Sequence, residues 1–333
     1  MATKSFPDLR RPERVFLREG SPESGMVPVF GDPSRKKTRS GRRGSCYNTT
    51  RSFMHHLILG YGYCGYYLAQ ILLRENLQVT AVSRHLDENM QQAGLNHVMH
   101  DLTSPFYWDE PETVLYYLIP PSSQGDTDSV LKHFLEQSRI QAQKIIYFGS
   151  SGVYGNHQGA WVNEESPCFI QHPRQLRRLD AEQQWLTYSK EHKTEPILLR
   201  IAGIYGPQRL PIDAAKACTP LIEESKAPLI NHIYVRDLAT IAYQLSQRKT
   251  SYSLYNIADG NPQPMGTLQQ HVAHALGLPA APYEPWQSAW EKASPMKREF
   301  MQGSKCLSIE RLQSTLGNSL LFTSQKEAIK KSM

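Results

Sequence analysis

The sequence predicts an α/β protein built on a Rossmann-type, doubly wound parallel sheet, followed by a smaller C-terminal substrate lobe. Three observations carry this expectation. A short apolar run, Leu57-Ile-Leu, leads through Gly60-Tyr-Gly-Tyr-Cys-Gly65 into an apolar, small-residue stretch from Tyr66 to Leu73. Strand-length apolar runs then alternate with helix-length segments as far as Ile201, the pattern of a parallel sheet covered on both faces. Beyond Ile201 the spacing becomes irregular and rich in proline, from Pro207 to Pro295.

In chain order, strands are expected at Leu57 to Gly60, Gln78 to Ser83, Asn96 to His100, Thr113 to Ile119, Lys144 to Gly149 and Pro196 to Ile201. Helices are expected between several of them, notably Thr127 to Gln141 and Leu179 to Glu191. The segment Val235 to Gln247 is expected to return and pack on the sheet. These elements divide the chain into a tail (1–53), a dinucleotide-binding domain (54–202) and a substrate lobe with segments returning to the sheet (203–330).

The tail has its own character. It holds 12 Lys/Arg against 5 Asp/Glu, whereas the remaining 280 residues hold 25 against 26, so the overall charge of +6 belongs to the tail alone. With no strand or helix period it is expected to be disordered. A nucleic-acid arm, a transit peptide and a start codon placed too early compete to explain it. The acidic residues argue against the transit peptide, and Met54, directly before His-His-Leu-Ile-Leu, favours the early start. The near-neutral remainder makes a nucleic-acid partner unexpected.

Other classes are excluded more simply. No apolar run approaches the ~20 residues that cross a bilayer, so no membrane partner is expected. Five scattered cysteines with no Cys-x-x-Cys pair suggest neither a disulfide framework nor a zinc site, and point to reduced thiols in the cytoplasm. His55-His56 lies on a strand, where neighbours face opposite ways, and the other histidines lack ligand spacing, so no metal is expected.

The glycine-rich turn has a physical purpose. Gly60 permits the tight turn, Gly62 lets the backbone approach a pyrophosphate, and Gly65 allows close helix packing, while the helix N-terminus faces the phosphate charge. Gly60, Gly62, Tyr63 and Gly65 are therefore the expected dinucleotide contacts. An NAD site usually ends its second strand with an acid for the adenosine ribose. Here that place reads Ser83-Arg84, and a guanidinium matches the charge and shape of a 2′-phosphate. NADP(H) is accordingly favoured over NAD(H).

At the end of the fifth strand stands Ile145-Ile-Tyr-Phe-Gly-Ser150-Ser151-Gly-Val153-Tyr154-Gly155. Here the chain resembles the extended short-chain dehydrogenase/reductase family, the nucleotide-sugar epimerases and dehydratases. Further matches arrive in that family's order: Asp101-Leu102, Glu164-Glu165-Ser-Pro167, Leu199-Arg200 with Tyr205-Gly206-Pro207, Asn231-His232 with Asp237-Leu238, Tyr255-Asn256-Ile257, and Ser304-Lys305 with Leu316-Gly317. The resemblance covers about residues 54 to 325. It implies that Asp101 and Leu102 meet the cofactor, that Ser150 hydrogen-bonds a substrate oxygen or the carboxamide, that Ser151 contacts substrate, and that Arg209 holds a substrate diphosphate. It also implies a small-molecule substrate, a nucleotide-linked sugar or similar polyol, and admits a homodimer.

The resemblance breaks where the family does its chemistry. Its Tyr-x-x-x-Lys pair, four residues apart on one helix face, falls near Arg174 and Arg178, in a stretch that contains neither tyrosine nor lysine. Arginine keeps a cation, Arg178 for the cofactor and Arg174 for substrate, but cannot carry protons near neutral pH. The chain is most similar to the divergent YeeZ-like branch, which also lacks this tyrosine. Tyr154 is the first substitute acid/base group to consider, with His157, Glu164, Glu165 and His172 behind it. An enzyme with atypical catalytic residues is expected, against the alternative of a non-catalytic dinucleotide sensor or scaffold.

Overall fold

Seven parallel strands form the central sheet: β1 (His55–Leu59), β2 (Gln78–Ser83), β3 (Leu95–Met99), β4 (Thr113–Tyr117), β5 (Lys144–Phe148), β6 (Glu195–Ile201) and β7 (Leu254–Ile257), in the order β7-β6-β5-β4-β1-β2-β3. The structure is a computed structural model that describes residues 54–333; the expectations for residues 1–53 lie outside them. The chain runs outward from β1 to β3, then crosses back to β4 and continues outward on the other side. The reversal therefore falls between the adjacent strands β1 and β4, at whose carboxyl ends ligands bind open α/β sheets.

The sheet is wound on both faces, and the strands show it residue by residue. Leu57 and Leu59 of β1, Leu115 and Tyr117 of β4, and Ile145 and Tyr147 of β5 pack into one core with α2 (Ser129–Gln137) and α3 (Pro173–His192). The alternate residues Ile58, Val114, Tyr116 and Ile146 pack into the other core with α1 (Tyr63–Arg74) and α4 (Val235–Ser246). Side chains two apart on a strand share a face, so continuous apolar strands feed both layers. Each fully buried Leu or Ile contributes roughly 1.5–3 kcal/mol. α4 lies beside α1, with the Arg236 guanidinium 5.0 Å over the Tyr67 ring. The sheet is thus completed by β7 and covered by α4, both of which lie beyond residue 202.

Cap chemistry sets the helix limits more finely than periodicity does. Pro173 occupies the first turn of α3, where its missing N–H costs nothing. The Gln175 side chain accepts from the backbone N–H of Gln171 and His172 at 2.7 and 3.0 Å. α3 consequently starts six residues before the expected Leu179, and carries Arg174 and Arg178 in its first turns. α2 is shorter than the expected Thr127 to Gln141: Asp128 caps it through Leu131 N at 3.1 Å, and Arg139–Ile140 leaves to pair with Tyr107–Trp108.

Candidate functional site

Two clefts open at the carboxyl edge of the sheet. The register pairs Leu59 with both Val82 and Tyr117, which brings the ends of β1, β2 and β4 to one level. There a cleft of 610 Å³ is lined by Gly60 and Gly62, by Ser83 and Arg84, by Asp101 and Leu102, and by Leu118 to Pro120. Six of the nine residues expected to meet a dinucleotide line it.

The three glycines answer to different physics. Gly60 has φ +92°, and a Cβ there would stand 2.7 Å from Ile119 Cγ1. At Gly65 a Cβ would stand 3.2 Å from the Tyr61 ring and 3.4 Å from Ile58, so that glycine sets the approach of α1 to β1. Gly62 is extended, and a Cβ there meets nothing within 4 Å; no protein atom requires a glycine at that position. It precedes a helix with no side-chain cap and no acid in its first turn, leaving N–H donors and the positive end of the helix dipole for an anion. The residues present therefore fit a dinucleotide pyrophosphate.

At the adenosine end, the Ser83 hydroxyl already donates to His85 O at 2.6 Å and lies 2.7 Å from His97 Nε2. Arg84 is exposed at the cleft. Asp101 accepts from Thr103 N at 3.0 Å, and this bond, ahead of the more distant Arg84 charge, holds its carboxyl below the usual range.

Tyr63 and Arg178 are placed elsewhere. The Tyr63 hydroxyl donates to Pro207 O at 3.0 Å and the Arg209 guanidinium lies 4.0 Å over its ring, so its side chain ties α1 to the Gly206-Pro207 segment rather than meeting a cofactor. Arg178 lines the second cleft, of 510 Å³, together with Ser150, Ser151, Arg174 and Arg209. Burial lowers the Arg178 guanidinium from its usual value. Arg174 pairs with Glu299 at 3.4 Å; among the described residues no carboxylate forms an ion pair with Arg178 or Arg209. Arg209 is exposed, but a desolvated cation without a counter-charge such as Arg178 is costly, and an anionic ligand would remove that cost.

Tyr154 must be reassigned. It is fully buried, donates to Asn256 Oδ1 at 2.7 Å, and carries the Arg200 guanidinium 4.7 Å over its ring. Burial pushes its phenol up to about 12, and it lines neither cleft, so it is a scaffold residue rather than a catalytic one. Glu164 accepts from Asn256 N at 2.7 Å and, with Glu165, pairs with Arg311. Arg200 is bound in turn by Glu182. The residues that carry the family resemblance (Tyr154, Glu164, Arg200, Asn256) thus form one buried polar network beneath the Ser150–Gly155 turn. Asn231 and Asp237 are scaffold as well: Asn231 spans Lys305 O and Leu307 N at 2.9 Å each, and Asp237 holds Thr323. His157 stacks on Phe169, and His172 sits at the start of α3. Burial raises the Cys64 thiol to about 11, which leaves it a packing residue.

Three contributors to the second cleft went unread as site residues in the sequence. Gln175 donates to Gly152 O at 2.9 Å, and Glu299 and Phe300 arrive on the helix Pro295–Gln302. No motif marks them; Gln175 is on α3 itself, and Glu299 and Phe300 meet the cleft through Arg174, which pairs with the one and lies 5.4 Å over the ring of the other. Lys305, noted only as part of a terminal motif, is a fourth. Among the described residues no group of three His, Cys, Asp or Glu could hold a metal ion, and no helix is long and apolar enough to cross a membrane.

Residues 126–258 match the model of the NAD dependent epimerase/dehydratase family. No curated protein matches the chain. Solved structures share the fold across nearly their whole length. A functionally unknown conserved protein from Silicibacter pomeroyi is 24% identical, with TM-score 0.68, covering 83% of this chain and 96% of its own. UDP-glucuronic acid 4-epimerase from Bacillus cereus, in complex with NAD, is 18% identical, with TM-score 0.66 and coverage of 84% and 97%. MoeE5, in complex with UDP-glucose and NAD, is 18% identical, with TM-score 0.64 and coverage of 84% and 97%.

Proposed function

We propose that this chain, whose residues 126–258 match the model of the NAD dependent epimerase/dehydratase family, is an enzyme that binds NADP(H) in preference to NAD(H) and changes the oxidation state of a hydroxyl-bearing carbon in a nucleotide-linked sugar or similar polyol. The observation that carries the reading is Gly62, whose missing Cβ faces open cleft at an uncapped helix start. Similar folds hold NAD, and one of them UDP-glucose, in the same kind of architecture. When bound, the nicotinamide supplies an acceptor or donor of hydride.

This chain's own residues supply the rest. The first turn of α1 holds the pyrophosphate, and exposed Arg84 meets the 2′-phosphate. In the second cleft, Arg209 holds a substrate phosphate and Arg178 a further anionic or hydroxyl-bearing group. The Ser150 hydroxyl accepts from Gly152 N at 3.1 Å, which turns its own proton toward a substrate oxygen. The described cysteines are unpaired, in keeping with a reducing compartment, and the cytoplasm is the proposed location.

A second reading, a dinucleotide sensor without turnover, is favoured by one observation: no tyrosine lines the second cleft. Thermal-shift titration with NAD, NADH, NADP and NADPH tests both readings. NADPH is expected to raise the melting midpoint most. Arg84→Asp is expected to weaken NADPH about tenfold or more, through one lost charge-assisted contact, and to spare NADH. If none of the four shifts the midpoint, the cofactor assignment is wrong. Hydride exchange with UDP-glucose and UDP-glucuronic acid then separates enzyme from sensor.

A further inference from the structure

We infer that Lys305 is the group that moves the substrate proton in the second cleft, in place of the missing tyrosine. The inference rests on the enzyme reading above and names the residue that completes it. Lys305 lines the cleft with Ser150, yet only 8% of it is exposed. Its backbone is clamped from both sides: its N–H donates to Leu229 O at 3.3 Å, and its carbonyl accepts from Asn231 Nδ2 at 2.9 Å. Its Nζ donates to Gly155 O at 3.2 Å. Ser150 and Gly155 are the two caps of the single turn Ser151–Tyr154, so hydroxyl and amine are anchored at opposite ends of one short, rigid element. A single backbone acceptor leaves the rest of the nitrogen's bonding capacity for a ligand.

The charged groups around the cleft leave Lys305 without a counter-ion. Glu299, on the helix Pro295–Gln302, is taken by Arg174. Arg178 and Arg209 are cations, and burial holds the His232 imidazole near 4 and hence neutral. Burial of the amine, with no carboxylate to oppose it, brings Lys305 down to about 8. A buried lysine without a partner is expensive to keep unless it works, and a group that titrates close to neutrality can both take and return a proton.

The step is a proton transfer. The neutral Nζ lone pair forms a bond to the proton of a substrate hydroxyl; the O–H bond breaks and its electron pair stays on oxygen, available for the carbonyl. Nothing is oxidised or reduced in this step. In the reverse direction the ammonium returns the proton to the oxygen. Oxidation therefore calls for neutral Lys305 and should rise with pH to a plateau above about 8, while reduction should fall over the same interval.

Two measurements test this. In protein carrying 13C-labelled lysine, the Lys305 13Cε resonance, assigned by its loss in Lys305→Arg, is expected to titrate near pH 8 while the exposed lysines titrate near their usual ~10.4. Hydride exchange between NADP+ and UDP-glucose or UDP-glucuronic acid is expected to fall at least about 100-fold in Lys305→Ala, with NADPH affinity retained and with partial rescue by added ethylamine. Two results would overturn the assignment while leaving the enzyme reading intact: titration of Lys305 with the exposed lysines, or an unchanged pH profile in Lys305→Ala. No exchange by wild-type protein that binds NADPH, or failure to bind any dinucleotide, would instead overturn the enzyme reading beneath it.

Discussion

Glu182→Ala is expected to destabilise the protein by about 3–5 kcal/mol, seen as a lower urea midpoint with little change in slope. Glu182 and Arg200 are 4% and 5% exposed. The guanidinium meets the carboxylate through three contacts, Nε to Oε1 and Oε2 at 3.1 and 3.2 Å and Nη2 to Oε2 at 2.8 Å. Desolvation alone would lower the arginine; the bonds and charge of Glu182 more than offset it and hold it above its usual value. Removing the acid strands a buried cation whose Nη1 already lacks a partner. Replacing both residues, Glu182→Ala with Arg200→Leu, is expected to recover part of the loss, because no lone charge remains. The damage should also reach function, since Arg200 packs on Tyr154 beneath the turn that displays Ser150. If the single variant unfolds at the wild-type urea concentration, the pair is not what secures that turn.

Gly62→Ala is expected to leave stability unchanged or raise it by about 0.5 kcal/mol, while weakening NADPH binding by about 100-fold. Its backbone is extended, φ −120° and ψ −152°, and the added methyl meets no protein atom within 4 Å. Only a ligand can object to it. A methyl that pushes a pyrophosphate from the helix start forfeits one or two charge-assisted hydrogen bonds, each worth roughly 1.5–3 kcal/mol, which converts to the stated loss. Gly60→Ala differs in kind: with φ +92° and Ile119 Cγ1 at 2.7 Å, it strains the fold itself. Calorimetric titration beside thermal melting separates the two. Wild-type affinity in Gly62→Ala would show that this turn cradles no phosphate.

These contrasts explain how much of the site was legible. Leu57-Ile-Leu, the glycine spacing and Ser83-Arg84 are local signals, and the structure brings Gly60, Gly62, Ser83 and Arg84 to one cleft at the end of the buried strand that Leu57-Ile-Leu forms, because a strand, its turn and the elements that follow are neighbours in sequence and in space. The ordered motifs pointed to the right architecture, but not to which of their polar residues are buried. Tyr154 reads as chemistry beside Ser150 and is scaffold, since its ring faces Arg200 and its hydroxyl Asn256, each brought by a distant strand. Arg178, expected at the cofactor, lines the second cleft beside Ser150, a placement that no local pattern gives.

What the sequence by itself determined is the fold class and the seat of the glycine-rich turn, because apolar periodicity and the backbone freedom of glycine act over a few neighbouring residues. Only the tertiary structure decided which polar side chains are buried as scaffold and which line a cleft. Lys305 shows the reason: its burial and its only bonded neighbours come from Gly155 and from the segment of Leu229 and Asn231, two parts of the chain far from it in sequence. Burial is a property of the packed whole, and no local pattern around Ser304-Lys305 encodes it.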